Sequence, residues 1–155
     1  AELANKAQIF IDFAHSPDAL KNVLLQAQKI RQKNLQSQLK SSRIIILFGC
    51  GGDRDRKKRP IMAEIACQLA DLVIITDDNP RTEIAKDIRQ EILVNCNLDK
   101  TIEIADRFVA INQAIKMLEE NDILILAGKG HEKYQIIGDK KIDFDEEQIV
   151  KNALR

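Results

Sequence analysis

The sequence has no excess of either charge, no apolar run long enough to cross a bilayer, and few cysteines. Each shortage removes a class of function. Lysine plus arginine number 24 and aspartate plus glutamate number 24, so the whole chain carries no field that would gather nucleic acid or an anionic membrane. Any anion binding has to be local. A membrane helix needs about 20 consecutive apolar residues, and no stretch approaches that. Nor does a charged-then-apolar leader open the chain. Cys50, Cys67 and Cys96 are odd in number and widely spaced. They match neither a disulfide framework nor a zinc pattern, which favours a reducing, cytoplasmic setting without a metal. A starting methionine is lacking too: the chain opens on Ala1 and reads as a piece of a longer protein.

What is present fits one globular domain: 155 residues, 45% of them hydrophobic and 31% charged. Strand-like and helix-like stretches alternate. Gln8–Asp12 reads as a strand. Ser16-Pro17 then opens a helix with Leu20, Val23, Leu24, Ala27 and Ile30 on one face. A polar stretch from about Gln32 to Ser42 reads as the longest loop. The apolar run within Arg43–Phe48 has the pattern of a strand covered on both faces. After a glycine-rich charged loop, Pro60 is expected to start a helix with Ile61, Met62, Ile65, Ala66 and Leu69 inward. Leu72–Ile75 is a third strand, Thr82 a candidate N-cap for a helix carrying Ile84, Ile88 and Ile92, and Ile102–Ala105 a fourth strand. Asp106 is expected to cap a helix burying Ile111, Ala114, Ile115 and Leu118, and Ile123–Leu126 is a fifth strand. Tyr134–Ile137 and Lys141–Phe144 flank Gly138-Asp139 as a hairpin, and Asp145 with Gln148 caps a last helix. The order implies an α/β, doubly wound, mostly parallel sheet (Rossmann-like) with an antiparallel C-terminal hairpin at the edge.

In such sheets ligands bind outside the carboxyl ends of the strands, and the unusual residues fall there. Asp12 and His15 follow the first strand, Gly49–Asp55 the second, Asp77–Arg81 the third and Gly128–Glu132 the fifth. The Gly49-x-Gly51 pair does not complete a dinucleotide fingerprint, because Arg54 stands at the third glycine position, and no Walker-type loop is present. Either this loop is a glycine turn with solvated charges, or it presents an arginine held by Asp53 and Asp55. In Asp78-Asn79-Pro80-Arg81 the proline biases Asn79 to extended backbone and would aim Asn79 and Arg81 across the rim. The same tetrapeptide is also ordinary turn chemistry. Gly128 and Gly130 permit close backbone approach, Glu132 can receive an ammonium group, and His131 is equally a packing residue or a ligand. An Arg for a carboxylate and a Glu for an amine together suggest a zwitterion, hence an amino acid.

Phe10-Ile11-Asp12-Phe13-Ala14-His15-Ser16-Pro17-Asp18-Ala19-Leu20 resembles the opening of the C-terminal domain of Mur ligases. Phe48–Asp55, Asp78–Arg81 and Gly128–Glu132 resemble the diaminopimelate-adding branch of that family, with its motifs in order from about Gln8 to the C-terminus. The resemblance implies ATP-driven amide ligation in peptidoglycan synthesis, in which an acyl phosphate is attacked by the amine of meso-diaminopimelate. By motif, Arg54, Asn79, Arg81, Gly128 and Glu132 would hold that amino acid, and Asp78 and Pro80 would shape the loop. Arg81 would take the distal carboxylate, and Glu132 with the Gly128 carbonyl the ammonium. Asp12 and His15 would face the nucleotide. ATP, Mg2+ and the UDP-MurNAc-dipeptide would be bound mainly by domains outside this chain, which would hold no cofactor, metal or catalytic group and would be inactive alone. Phe13 departs from the family's usual Tyr. Two rivals share the architecture: a phospho-acceptor receiver, whose acids and lysine Asp12, Asp77 and Lys129 mimic, and a folate polyglutamate ligase domain.

Overall fold

The computed structural model describes residues 1–36 and 42–155. Its strands are β1 (Gln8–Asp12), β2 (Ile44–Phe48), β3 (Leu72–Ile75), β4 (Thr101–Glu103), β5 (Ile123–Ala127), β6 (Tyr134–Ile137) and β7 (Lys140–Asp143). Its helices are α1 (Pro17–Gln36), α2 (Lys58–Leu69), α3 (Ala85–Leu93), α4 (Arg107–Lys116) and α5 (Glu146–Ala153). The first five strands form one parallel sheet in the order β1-β5-β2-β3-β4, and β6 and β7 pair antiparallel in a sheet of their own. This is the expected α/β architecture with its C-terminal hairpin.

Burial explains the layering. Every residue of β2 and β5 is buried, as a strand with helices over both faces requires. Ile44, Ile46, Phe48, Ile123 and Ile125 pack toward α1, α2 and α3, while Ile45, Leu47, Leu124 and Leu126 pack toward α4 and α5. Insertion of β5 between β1 and β2 makes the switch in strand order. Asp12 stands level with Ala127, Leu47 with Leu126 and Phe48 with Ile75. The loops leaving β1, β2, β3 and β5 therefore emerge side by side at one rim.

Both aspartate caps expected from the sequence form: Asp106 accepts from the Val109 amide and Asp145 from the Gln148 amide. Four local expectations are corrected. Helix α1 runs through Gln36, well into the stretch read as loop, because an exposed helix can be polar on all but one face; residues 37–41 lie outside the described residues. Helix α2 starts at Lys58, with Pro60 inside its first turn, where a missing N–H costs nothing. Its Ile61 is exposed rather than inward. Thr82 does not cap α3, whose N-cap is Ile84; its hydroxyl instead donates to Asp53 Oδ1 at 2.7 Å.

Candidate functional site

The rim loops enclose a cavity of about 450 Å³. Three cations (Arg54, Lys58 and Arg81) and three acids (Asp55, Asp78 and Glu132) line it, together with Asn79, Gly51 and Gly128. Phe13, His15 and Ser16 form the side toward β1. The five residues expected to hold an amino acid, Arg54, Asn79, Arg81, Gly128 and Glu132, all line this cavity, as does Asp78. Pro80 is buried beneath it.

The loop after β2 is held down by a residue the sequence reading passed over. Arg59, with no exposed surface, donates to Glu83 at 2.9 and 3.0 Å, to Glu91 at 2.8 Å and to the Gly51 carbonyl at 3.1 Å. Burial opposes that charge, but the two carboxylates outweigh it and hold the guanidinium pKa above its usual value. Arg59 in turn keeps Glu83 below the ordinary carboxylate range. So the arginine fixed by acids is Arg59, not Arg54; Arg54 makes no hydrogen bond or ion pair among the described residues. The acids near Arg54 are used locally. Asp53 accepts from the Thr82 hydroxyl and amide, which lower its pKa, and Asp55 accepts from the Lys57 amide. Arg54 is left free to point at a ligand.

Gly52 is required by contact rather than by a ligand. A Cβ there would fall 1.8 Å from the Pro80 carbonyl oxygen, so the β2 and β3 loops can close on one another only with glycine at that place. The Gly52 amide donates to the Asn79 carbonyl at 2.8 Å. Across this seam, Arg81 Nη1 donates to the Gly52 carbonyl at 2.9 Å. Arg81 occupies the left-handed region at φ 52°, a conformation costly for a side chain of this kind. The hairpin over-determines it: the Arg81 amide donates to the Ile136 carbonyl at 3.1 Å, and its carbonyl accepts from Gly138 at 2.7 Å. No carboxylate of the described residues pairs with Arg81, so its remaining guanidinium edge faces the cavity.

Glu132, which also lines the cavity, lies 3.8 Å from Lys129 Nζ and 3.4 Å from Asn79 Nδ2. Lys129 is buried against Asp78, 3.1 Å away. The Gly130 turn presses on Phe13, where a Cβ would come within 2.8 Å of the ring-bearing Cβ. Phe13 itself is 42% exposed and sits between two imidazoles, 4.5 Å from His15 and 5.3 Å from His131 between ring centroids. His131 thus packs against the β1 loop. Asp12 Oδ1 accepts from the Ala14 amide at 2.7 Å, and His15 Nδ1 lies 2.7 Å from the Phe13 carbonyl.

A receiver would set Asp12, Asp77 and Lys129 around one phospho-acceptor, and here Asp77 and Lys129 are committed to other partners. Asp77 bonds to Arg89, which also holds Glu103, while burial raises the Asp77 pKa. Lys129 is spent on Asp78 and Asn79.

Residues 1–130 match the family described as Mur ligase, glutamate ligase domain. The chain belongs to the Mur ligase family. Among relatives, UDP-N-acetylmuramoyl-L-alanyl-D-glutamate--2,6-diaminopimelate ligase of Rickettsia bellii is 50% identical over 148 residues, 96% of this chain and 30% of its own length. The ligase of the same name from Mesorhizobium japonicum is 48% identical over 149 residues, 96% of this chain and 28% of its own. A solved structure bearing that name superposes with a TM-score of 0.82 at 39% identity, covering 96% of this chain and 29% of that one. This Mur ligase chain therefore spans about 30% of the length of the curated relatives it matches. A bifunctional folylpolyglutamate synthase/dihydrofolate synthase from Yersinia pestis, 18% identical with a TM-score of 0.56, shares the fold alone.

Proposed function

We propose that this chain is the amino-acid-selecting domain of an ATP-dependent ligase that joins meso-diaminopimelate to UDP-N-acetylmuramoyl-L-alanyl-D-glutamate in peptidoglycan synthesis, in the cytoplasm. The observation that carries this reading is the charge layout of one cavity. Arg54 and Arg81 line it without carboxylate partners among the described residues, and Glu132 lines the same cavity. Arg81 would grip the distal carboxylate and Glu132, with the Gly128 carbonyl, the ammonium beside it. Asp78 and Pro80 hold the loop that presents Asn79. L-Lysine lacks the distal carboxylate, and a site built around such a group can reject the analogue by about 10⁴-fold or more.

ATP and its Mg2+ would be bound mainly by parts of the ligase outside this chain. Among the described residues no three His, Cys, Asp or Glu side chains gather as metal ligands. The lysine of the glycine-flanked loop is buried and fully used. Asp12 and His15 would border the nucleotide from the β1 side. By this reading the chain contributes selection and orientation of the amine, and alone it turns over nothing. No described helix is long and apolar enough to cross a membrane.

The test is amino-acid competition in the full-length ligase that carries this chain, supplied with the UDP-linked dipeptide and ATP. The wild type is expected to use meso-diaminopimelate far better than L-lysine, and Arg81→Ala to abolish most of that preference. Equal use of both amino acids by the wild type would overturn the assignment.

A further inference from the structure

Lys129 carries a positive charge that no solvent reaches. Its Nζ donates to Asn79 Oδ1 at 2.8 Å and to the Tyr134 carbonyl at 2.9 Å, and lies 3.1 Å from Asp78 Oδ1. Of the three protons of the ammonium group, two go to Asn79 and Tyr134, and Asp78 Oδ1 faces it as a counter-charge outside hydrogen-bonding geometry. Lys129 does not itself line the cavity, yet it contacts Asn79 and Glu132, which do.

Asn79 Oδ1 receives a second donor, the Ile136 amide at 3.0 Å. Both lone pairs of that oxygen are occupied. Turning the amide over would aim its NH2 at an ammonium and an N–H, two donors with nothing to accept. The amide nitrogen must consequently lie on the other side, where Asn79 Nδ2 approaches Glu132 Oε2 at 3.4 Å and Asn79 borders the cavity. Glu132 is drawn the same way by Lys129 Nζ at 3.8 Å. Lys129 thus pairs with two carboxylates, Asp78 and Glu132, so this cluster of three keeps one formal negative charge.

We propose that Lys129 is a positioning residue. It fixes the polarity of the Asn79 amide, so that Asn79 serves the substrate only as a hydrogen-bond donor to a carboxylate beside Arg81. It also offsets one of the two carboxylate charges it touches. The inference deepens the amino-acid-site reading above and rests on it.

The experiment measures KM for meso-diaminopimelate and kcat in the full-length ligase, for wild type, Lys129→Met and Asn79→Asp. Lys129→Met frees the Asn79 amide and leaves Asp78 buried without its counter-ion, so KM is expected to rise about tenfold or more, the cost of a misplaced hydrogen bond to a charged group. Loss of folded enzyme would instead lower apparent kcat and leave KM unchanged. Asn79→Asp keeps acceptors for Lys129 and Ile136 but puts an acceptor where Nδ2 donated, and KM is expected to rise at least as far with kcat little changed. This variant decides the matter if Lys129→Met does not fold. An unchanged KM for Asn79→Asp, in an enzyme whose wild type selects meso-diaminopimelate, overturns the role given to Lys129 alone. A wild type without that selectivity overturns the site reading itself.

Discussion

Replacing Arg107 by methionine removes half of an ion pair that water cannot reach. Arg107 Nε donates to Glu146 Oε1 at 2.7 Å, and neither side chain has exposed surface. The same guanidinium donates from Nη2 to the Ala127 carbonyl at 2.9 Å, which ties the start of α4 and the start of α5 to the end of β5. Arg107→Met strands the Glu146 carboxylate in an apolar layer, and breaking such a buried pair costs about 3–5 kcal/mol. For a chain of this size each kcal/mol moves the melting temperature by about 2–4 °C, so a fall of roughly 6–20 °C is expected. The pair itself is not well satisfied. Arg107 Nη1 and Glu146 Oε2 are buried without partners, so desolvation is incompletely offset in the wild type. The double variant Arg107→Met/Glu146→Met, which removes both charges and keeps the volume, is therefore expected to recover most of the loss. It would retain a deficit of about 1–3 kcal/mol for the Ala127 carbonyl left without a donor. Urea and thermal unfolding at pH 7 of the four members of the cycle give both numbers. A double variant as unstable as Arg107→Met would refute the reasoning, because the penalty would then come from lost shape and not from an unpaired charge.

Arg59→Met is expected to destabilise by about 2 kcal/mol at pH 7, less than a fully buried pair because water still reaches Glu83 and Glu91. Hydrogen bonds from Arg59 lower the Glu83 pKa, and those from Arg56 and then Arg59 lower that of Glu91. A depressed carboxylate stabilises the fold above its unfolded pKa of about 4.3 and loses that contribution as pH falls through the folded value. The gap between wild type and variant should thus narrow below about pH 4, as thermal melts from pH 7 to 3 would show, and a constant gap would contradict it. Gly52→Ala sets a methyl against the Pro80 carbonyl and should cost about 1–3 kcal/mol while raising KM for the amino acid in the full-length ligase. A variant that matches wild type in both would mean the β2 and β3 loops are not pressed together. Burial pushes the Cys50 thiol up to about 12, so iodoacetamide should leave it unmodified in the native chain at pH 8 and label it in urea. Native labelling at the urea rate would count against its burial.

Much of the fold was legible because its signals are local. The wholly apolar runs of β2 and β5 announced two covered faces, and Asp106 and Asp145 announced helix starts that need only a side chain three residues from an amide. Thr82 carried the same local signal and misled. A partner 29 residues away, Asp53, competed for its hydroxyl and won. Ile61 repeated on a helical period, yet its face of α2 meets solvent. The polar end of α1 gave no periodic signal to mark it as helix.

By itself the sequence determined that a parallel sheet would gather four polar loops at one rim, because strand direction and loop order follow from local pattern and chain connectivity. It also put Asn79, Arg81 and Glu132 in the loops that leave the carboxyl ends of β3 and β5. Only the tertiary structure decided which charges are taken up by partners in the fold and which stand at the cavity. Arg54 and Arg59 stand five residues apart, and Lys129 and Glu132 three, with nothing in composition to separate them. Arg59 and Lys129 are consumed by partners 24 to 50 residues distant, Glu83 for one and Asn79 for the other. Arg54 and Glu132 are left at the cavity. An ion pair depends on distance in space and on how much water is excluded around it, and neither exists until the sheet has closed and the hairpin has come over the rim.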